Sequence, residues 1–167
     1  MQRTIRTSQC SCGRVRCEAA GAPILTAVCY CNDCQAGGHQ IEALPGATAV
    51  LDPDGGSAYL TYRDDRFACV DGAALLVGYK LRDTAPTQRF VASCCNTAMF
   101  LKFAPGHWVS AYRAAFDPPL PAIEMRTNVA HRRSDLPLPQ DAPSYQKFPL
   151  KLFARLLAAR IAMLLGR

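Results

Sequence analysis

Cys10-Ser11-Cys12-Gly13-Arg14-Val15-Arg16-Cys17-Glu18, followed by Cys29-Tyr30-Cys31-Asn32-Asp33-Cys34, sets five of the chain's nine cysteines in a C-x-C and a C-x-C-x-x-C motif. Alternate side chains of an extended segment share a face, so Cys10 and Cys12 present two thiols to one side and Gly13 lets the backbone turn behind them. Two thiolates are half of a tetrahedral zinc site. The partner pair expected from elsewhere is Cys94 and Cys95. Cys29, Cys31 and Cys34 can wrap three thiolates around one ion, which leaves a fourth position for water or substrate. His39, five residues on, is the alternative fourth ligand, set against a plain surface histidine.

Disulfides are the rival explanation. An odd count leaves one thiol over, and C-x-C pairs make strained bridges. Residues 1–13 contain no apolar stretch of the signal-peptide kind, and no run of about twenty apolar residues occurs, so a reducing cytoplasm is the expected compartment. There, clustered cysteines point to metal. The expected cofactor is zinc, one or two ions per chain. Cys17 and Cys69 read as buried small hydrophobes; His107, Trp108 and His131 have no site spacing.

The 167 residues, half of them apolar, suffice for one domain with a real core. A net charge of +6 suits an anionic small molecule, a membrane surface or nucleic acid, and no Lys/Arg run has the density of a nucleic-acid-binding tail. No nucleic-acid partner is expected. Short β-type segments at 14–18, 24–29, 47–52, 59–62, 74–81 and 90–92 alternate with turn residues at 52–56, 71–72 and 82–86. Nothing from 4 to 103 has sustained helical periodicity.

The predicted fold is therefore mainly β: small antiparallel sheets clipped by zinc, zinc-ribbon-like, with a C-terminal helix. The predicted parts are a zinc-binding β-domain at 1–115, a Pro-rich wrapping segment at 116–148 and an amphipathic helix at 149–167, making one globular unit. The wrapping segment is predicted to carry a short helix near 124–132. In the terminal helix, Lys151, Arg155 and alanines share one face while leucines, Phe153 and Ile161 cover much of the rest. Such a helix suits docking on its own domain, on a second subunit (a homo-oligomer contact), or on a membrane surface.

The string from Cys10 to Glu18, Gly21, and the run from Cys29 to Gln35 resemble the family of glutathione-dependent formaldehyde-activating enzymes and centromere protein V, whose members read C-x-C-G-x-V-R-x-E, a glycine, then C-x-C-x-x-C. The resemblance implies a β-tent fold. It implies a structural zinc on Cys10, Cys12 and the late cysteine pair, and a catalytic zinc on Cys29, Cys31 and Cys34. The implied activity is that of a carbon–sulfur lyase, joining formaldehyde to glutathione, with a small thiol as partner and basic groups such as Arg16, Arg126, Arg132 and Arg133 holding carboxylates. The alternative is a non-catalytic, zinc-stabilised binding module that meets a membrane or partner through its terminal helix. The chain departs from the family's late F-C-x-x-C-G-T motif at Ala92, where the first cysteine belongs, and at Asn96, which stands for the glycine.

Overall fold

The structure, a computed structural model, describes residues 4–166. Its strands in chain order are β1 (Ile5–Gln9), β2 (Arg16–Ala20), β3 (Leu25–Cys29), β4 (Ser57–Arg63), β5 (Phe67–Asp71), β6 (Leu76–Tyr79), β7 (Thr87–Ala92), β8 (Thr97–Phe103), β9 (Trp108–Tyr112) and β10 (Met125–Thr127). Helix α1 (Asn32–Glu42) follows β3, and α2 (Leu150–Leu164) ends the described chain.

Two sheets form. One has three strands in the order β1-β2-β5, and the other seven in the order β10-β3-β4-β9-β8-β7-β6. The pairing is antiparallel throughout, except that β10 joins β3 in parallel. The mainly β prediction with a terminal helix holds, although the second sheet is larger than the small sheets expected. Strand β3 is buried along its whole length: β4 and β10 flank it, and Tyr145 and Leu152 pack against the cluster of Leu25, Ala27 and Met125. Between the sheets, Cys10, Val15, Cys17, Ala92, Met99 and Ala115 form one shared cluster.

Three expectations are corrected. Helix α1 occupies a stretch where no helical periodicity shows, because its buried face is Gln35, Gly37, Gly38 and Ile41, with only one large apolar residue among them. Residues 47–52 are not a strand: the amides of Val50 and Leu51 both donate to the Glu42 carboxylate at 2.8 Å, so their hydrogen bonds end on a side chain instead of a ladder. The helix expected near 124–132 is strand β10 followed by a single 3-10 turn, Val129–His131. Tertiary pairing with β3 outweighs the local preference there. Helix α2 lies where the sequence places it, with Leu156 its buried residue and His107 Nε2 bonded to the Leu156 carbonyl at 2.7 Å.

Candidate metal centres and the cavity beside them

The hairpin tips deliver the first thiol group. The β1–β2 connection carries Cys10 and Cys12, and the β7–β8 connection carries Cys94 and Cys95, so each pair comes from a different sheet. Gly13, at φ +76°, closes the first tip by donating to the Cys10 carbonyl at 2.8 Å. Asn96 takes the left-handed conformation at the second tip, φ +54°, as its alignment with a glycine predicts. The sulfur separations are 3.6 Å for Cys10–Cys12, 3.8 Å for Cys10–Cys94, 3.3 Å for Cys12–Cys94 and 3.9 Å for Cys94–Cys95. Four sulfurs about 2.3 Å from a tetrahedral zinc stand about 3.8 Å apart, near these four separations, and every pair in the set lies within 4.8 Å, so the group could hold the ion.

Backbone and side-chain donors already address these sulfurs. The Val15 amide donates to Cys10 Sγ at 3.2 Å, and Cys95 Sγ lies 3.2 Å from Thr97 Oγ1. Backbone and side-chain hydrogen bonds from Arg14 hold the Cys12 thiol below its ordinary value. Partial burial opposes ionisation of Cys95, but hydrogen bonds from Ser11 and Thr97 bring it down to about 5. Desolvation and the neighbouring thiols push Cys94 up to about 12. Thiols this close compete for protons, and a divalent cation satisfies them all as thiolates.

The second group forms where β3 runs into α1. Cys29 ends the strand, Cys31 is the N-cap of the helix, and Cys34 lies in its first turn. Cys31 Sγ accepts the Cys34 amide at 3.3 Å, a role usually taken by a short oxygen side chain. The helix N-terminus favours negative charge, which suits thiolates. Their sulfurs lie within 4.8 Å of one another. Tyr59 Oη and Asn128 Nδ2 each reach a sulfur, Cys34 and Cys29 respectively, at 3.6 Å. Hydrogen bonds from Cys31 and Cys34 hold Cys29 well below its usual value, whereas bonds to Cys29 and Cys31, together with desolvation, raise Cys34. His39 stands apart from this group, exposed on α1 and 3.7 Å from Glu42. Among the described residues no further His, Cys, Asp or Glu joins these three thiols, a set that fits an ion keeping an open position.

The two groups differ in what they face. A cavity of about 420 Å³ is lined by Cys29, Cys31 and Cys34, and its walls are largely apolar. Leu152, Phe153 and Leu156 of α2, with Phe148 before it, close one side. A second cavity, about 350 Å³, is lined by Ser11 and Thr97 but by none of the first group's cysteines.

The basic residues expected at the site are elsewhere. Arg126 is buried and bound to Asp141 through two nitrogens at 3.0 and 3.2 Å, and to Tyr30 Oη at 2.5 Å. Arg16 pairs with Glu18 and Asp71, Arg132 donates to the Asp54 carbonyl, and Arg133 reaches Asn32. None of the four lines the cavity. The arginine that does is Arg89 of β7, only 2% exposed, with Nη2 on the Asp33 carbonyl at 2.6 Å and a buried Nε without a hydrogen-bond partner. Its one signal in the sequence is phase: Arg89 and Val91 fall on the same inward side of a strand. Cys17 is buried as expected, whereas Cys69 is only half-buried.

Residues 5–46 match the model of the family described as "Glutathione-dependent formaldehyde-activating enzyme", so the resemblance carried by Cys10 to Gln35 is found. No curated protein matches the chain. Among solved structures, a crystal structure of a Rhodobacter sphaeroides protein is similar at 17% identity, with a TM-score of 0.49, covering 69% of this chain and 91% of that one.

Proposed function

We propose that this chain makes or breaks the carbon–sulfur bond between a small thiol and a small aldehyde, with Cys29, Cys31 and Cys34 holding a working zinc and Cys10, Cys12, Cys94 and Cys95 a structural one. The observation that carries this reading is the difference in access: the three-thiol group opens on a cavity, and the four-thiol group sits where two hairpin tips meet. The match at residues 5–46 supports the reaction class, with a glutathione-like thiol and formaldehyde as the pair that the family's description suggests. Zinc bound by three thiolates supplies a Lewis acid with a free position, able to lower the pKa of a thiol or polarise a carbonyl.

The chain's own groups do the rest. The α1 N-terminus and the donors on Tyr59 and Asn128 steady the sulfur charge, and the largely apolar cavity walls lower the polarity around the reactants. In the forward direction the thiol sulfur bonds to the carbonyl carbon, and the proton leaving sulfur ends on the carbonyl oxygen. The product is a hemithioacetal, and cleavage is the reverse.

Purified chain is expected to carry close to two zinc ions. Cys31→Ser removes turnover of a glutathione–formaldehyde mixture while sparing thermal stability, and Cys12→Ser lowers the melting temperature more. Equal stability losses from the two variants would sink the division of labour.

A second reading rests on one observation. Leu150, Phe153, Leu157, Ile161 and Leu164 form an exposed apolar stripe on α2, from 49% to 85% accessible, in a helix with no acidic residue and with Lys151 and Arg160 exposed. No helix among the described residues is long and apolar enough to cross a membrane. The stripe fits a helix lying on an anionic bilayer surface, or a contact between two copies. Co-sedimentation of the full chain with phosphatidylserine vesicles, lost in Leu157→Asp, tests the first; a concentration-dependent mass in solution identifies the second.

A further inference from the structure

The cavity over Cys29, Cys31 and Cys34 has a charge content that bears on which adduct it takes. Its lining contributes only two charged residues, Asp33 and Arg89. Asp33 is an exposed first-turn residue of α1, so its carboxylate belongs to the rim. Arg89 is almost wholly buried: its guanidinium is wedged beneath α1, where a β-carbon on Gly37 would overlap Nε and Cζ, and its Nη2 donates to the Asp33 carbonyl, so it offers a ligand at most one partly engaged cation. Its buried positive charge offsets the net negative charge that three thiolates leave on a bound divalent ion.

The remaining walls are apolar or singly polar. Leu25, Leu101, Phe103 and Trp108 come from the large sheet, and Leu152 and Leu156 from α2. The polar groups within are hydroxyls, chief among them Thr61 and Ser110, whose oxygens lie 3.2 Å apart on neighbouring strands β4 and β9. The occupant that complements such a lining has an apolar body, one sulfur for the cysteine end, and one hydroxyl or carbonyl oxygen for the Thr61–Ser110 pair. Glutathione brings two carboxylates and an ammonium, and burying unpaired charges costs several kcal/mol each.

We infer that the cavity is specific for a thiol–aldehyde adduct with an apolar organic body, and that α2 is its selectivity wall. The volume of about 420 Å³ lies in the usual range for a small-molecule site. The chemistry assigned to the adduct rests on the proposed function; the apolar preference rests on the lining alone.

Binding and turnover separate the two. Two unreactive thioethers serve as probes for the zinc-loaded full chain: benzyl methyl sulfide, apolar, and S-methylglutathione, charged. Trp108, the only tryptophan, lines the cavity and reports occupancy by its emission, with calorimetry giving the affinity. The expected result is saturable binding of benzyl methyl sulfide at least tenfold tighter than S-methylglutathione. Leu152→Asp should weaken it at least tenfold. Leu152→Trp, which keeps α2 docked by apolar contact while filling the cavity, should do the same by calorimetry. S-methylglutathione binding as tightly or more tightly, no saturable signal from benzyl methyl sulfide, or unchanged affinity in Leu152→Trp each overturn the inference. If the apolar probe binds as expected while neither benzyl mercaptan nor glutathione turns over with formaldehyde, the specificity stands and the proposed reaction falls. Turnover of glutathione with failed apolar binding is the opposite case.

Discussion

Single residues set the geometry of the three-thiol group, and Gly37 is the most constrained of them. It sits inside α1, where its missing side chain lets the Arg89 guanidinium pass under the helix. Gly37→Ala forces either the helix or Arg89 to shift, an overpacking cost of about 1–3 kcal/mol that urea unfolding reads directly. A variant as stable as the parent would show that Arg89 can move aside freely. Asn96 is the comparable position at the four-thiol group. Asn96→Ala keeps the left-handed strain but loses the bond from Nδ2 to the Pro45 carbonyl at 2.9 Å, which predicts a loss of about 1–2 kcal/mol. The two N-terminal cysteine motifs were legible because thiol spacing is local chemistry. Arg89 was not, since a lone arginine in a strand acquires meaning only when a helix from far earlier in the chain lies over it.

Among the elements, α2 decides how the cavity is closed, and it is held by few contacts. Leu156 is its buried residue, His107 bonds its backbone, and Arg155 pairs with Glu124 at the surface. Leu156→Ala is expected to cost about 2–3 kcal/mol and to release α2, seen as faster amide exchange over the helix with the sheets still protected. Arg155→Ala, which breaks an exposed ion pair, should cost less than about 1 kcal/mol. The helix itself was legible in the sequence from Pro149 and its leucine pattern. Helix α1 was not, because its Gly37-Gly38 pair mimics a turn and its buried face is made of small groups. The edge strand β10 was missed for a related reason: three residues in a Pro-rich segment carry no pattern of their own, and the parallel pairing with β3 is what extends them.

In the whole molecule, the four-thiol group lies where hairpin tips of the two sheets meet, so an ion held there would couple metal binding to folding. Chelation is expected to lower the melting temperature of wild type sharply and that of Cys12→Ser little, since the variant has already lost that clip. Burial gives a separate alkaline limit. Desolvation raises the Tyr112 phenol to about 12, and burial raises Tyr62 as well. Because the folded value lies above the unfolded one near 10, these phenols contribute full stability below about pH 10. That contribution, about 2–3 kcal/mol for Tyr112, is lost as pH rises from 10 toward 12. A urea midpoint that stays flat from pH 8 to 11.5 would contradict this.

The amino-acid sequence by itself determined the β-rich class, the two thiol motifs, the turn glycine and its asparagine counterpart, and the terminal helix. Each is encoded within a few neighbouring residues, where spacing and backbone preference act directly. Only the tertiary structure decided that Cys94 and Cys95 come together with Cys10 and Cys12, that the expected arginines are spent elsewhere, and that α2 lines the cavity beside the three-thiol group. Those facts depend on strand order and on which side chains long-range packing brings together, and short-range pattern does not encode them.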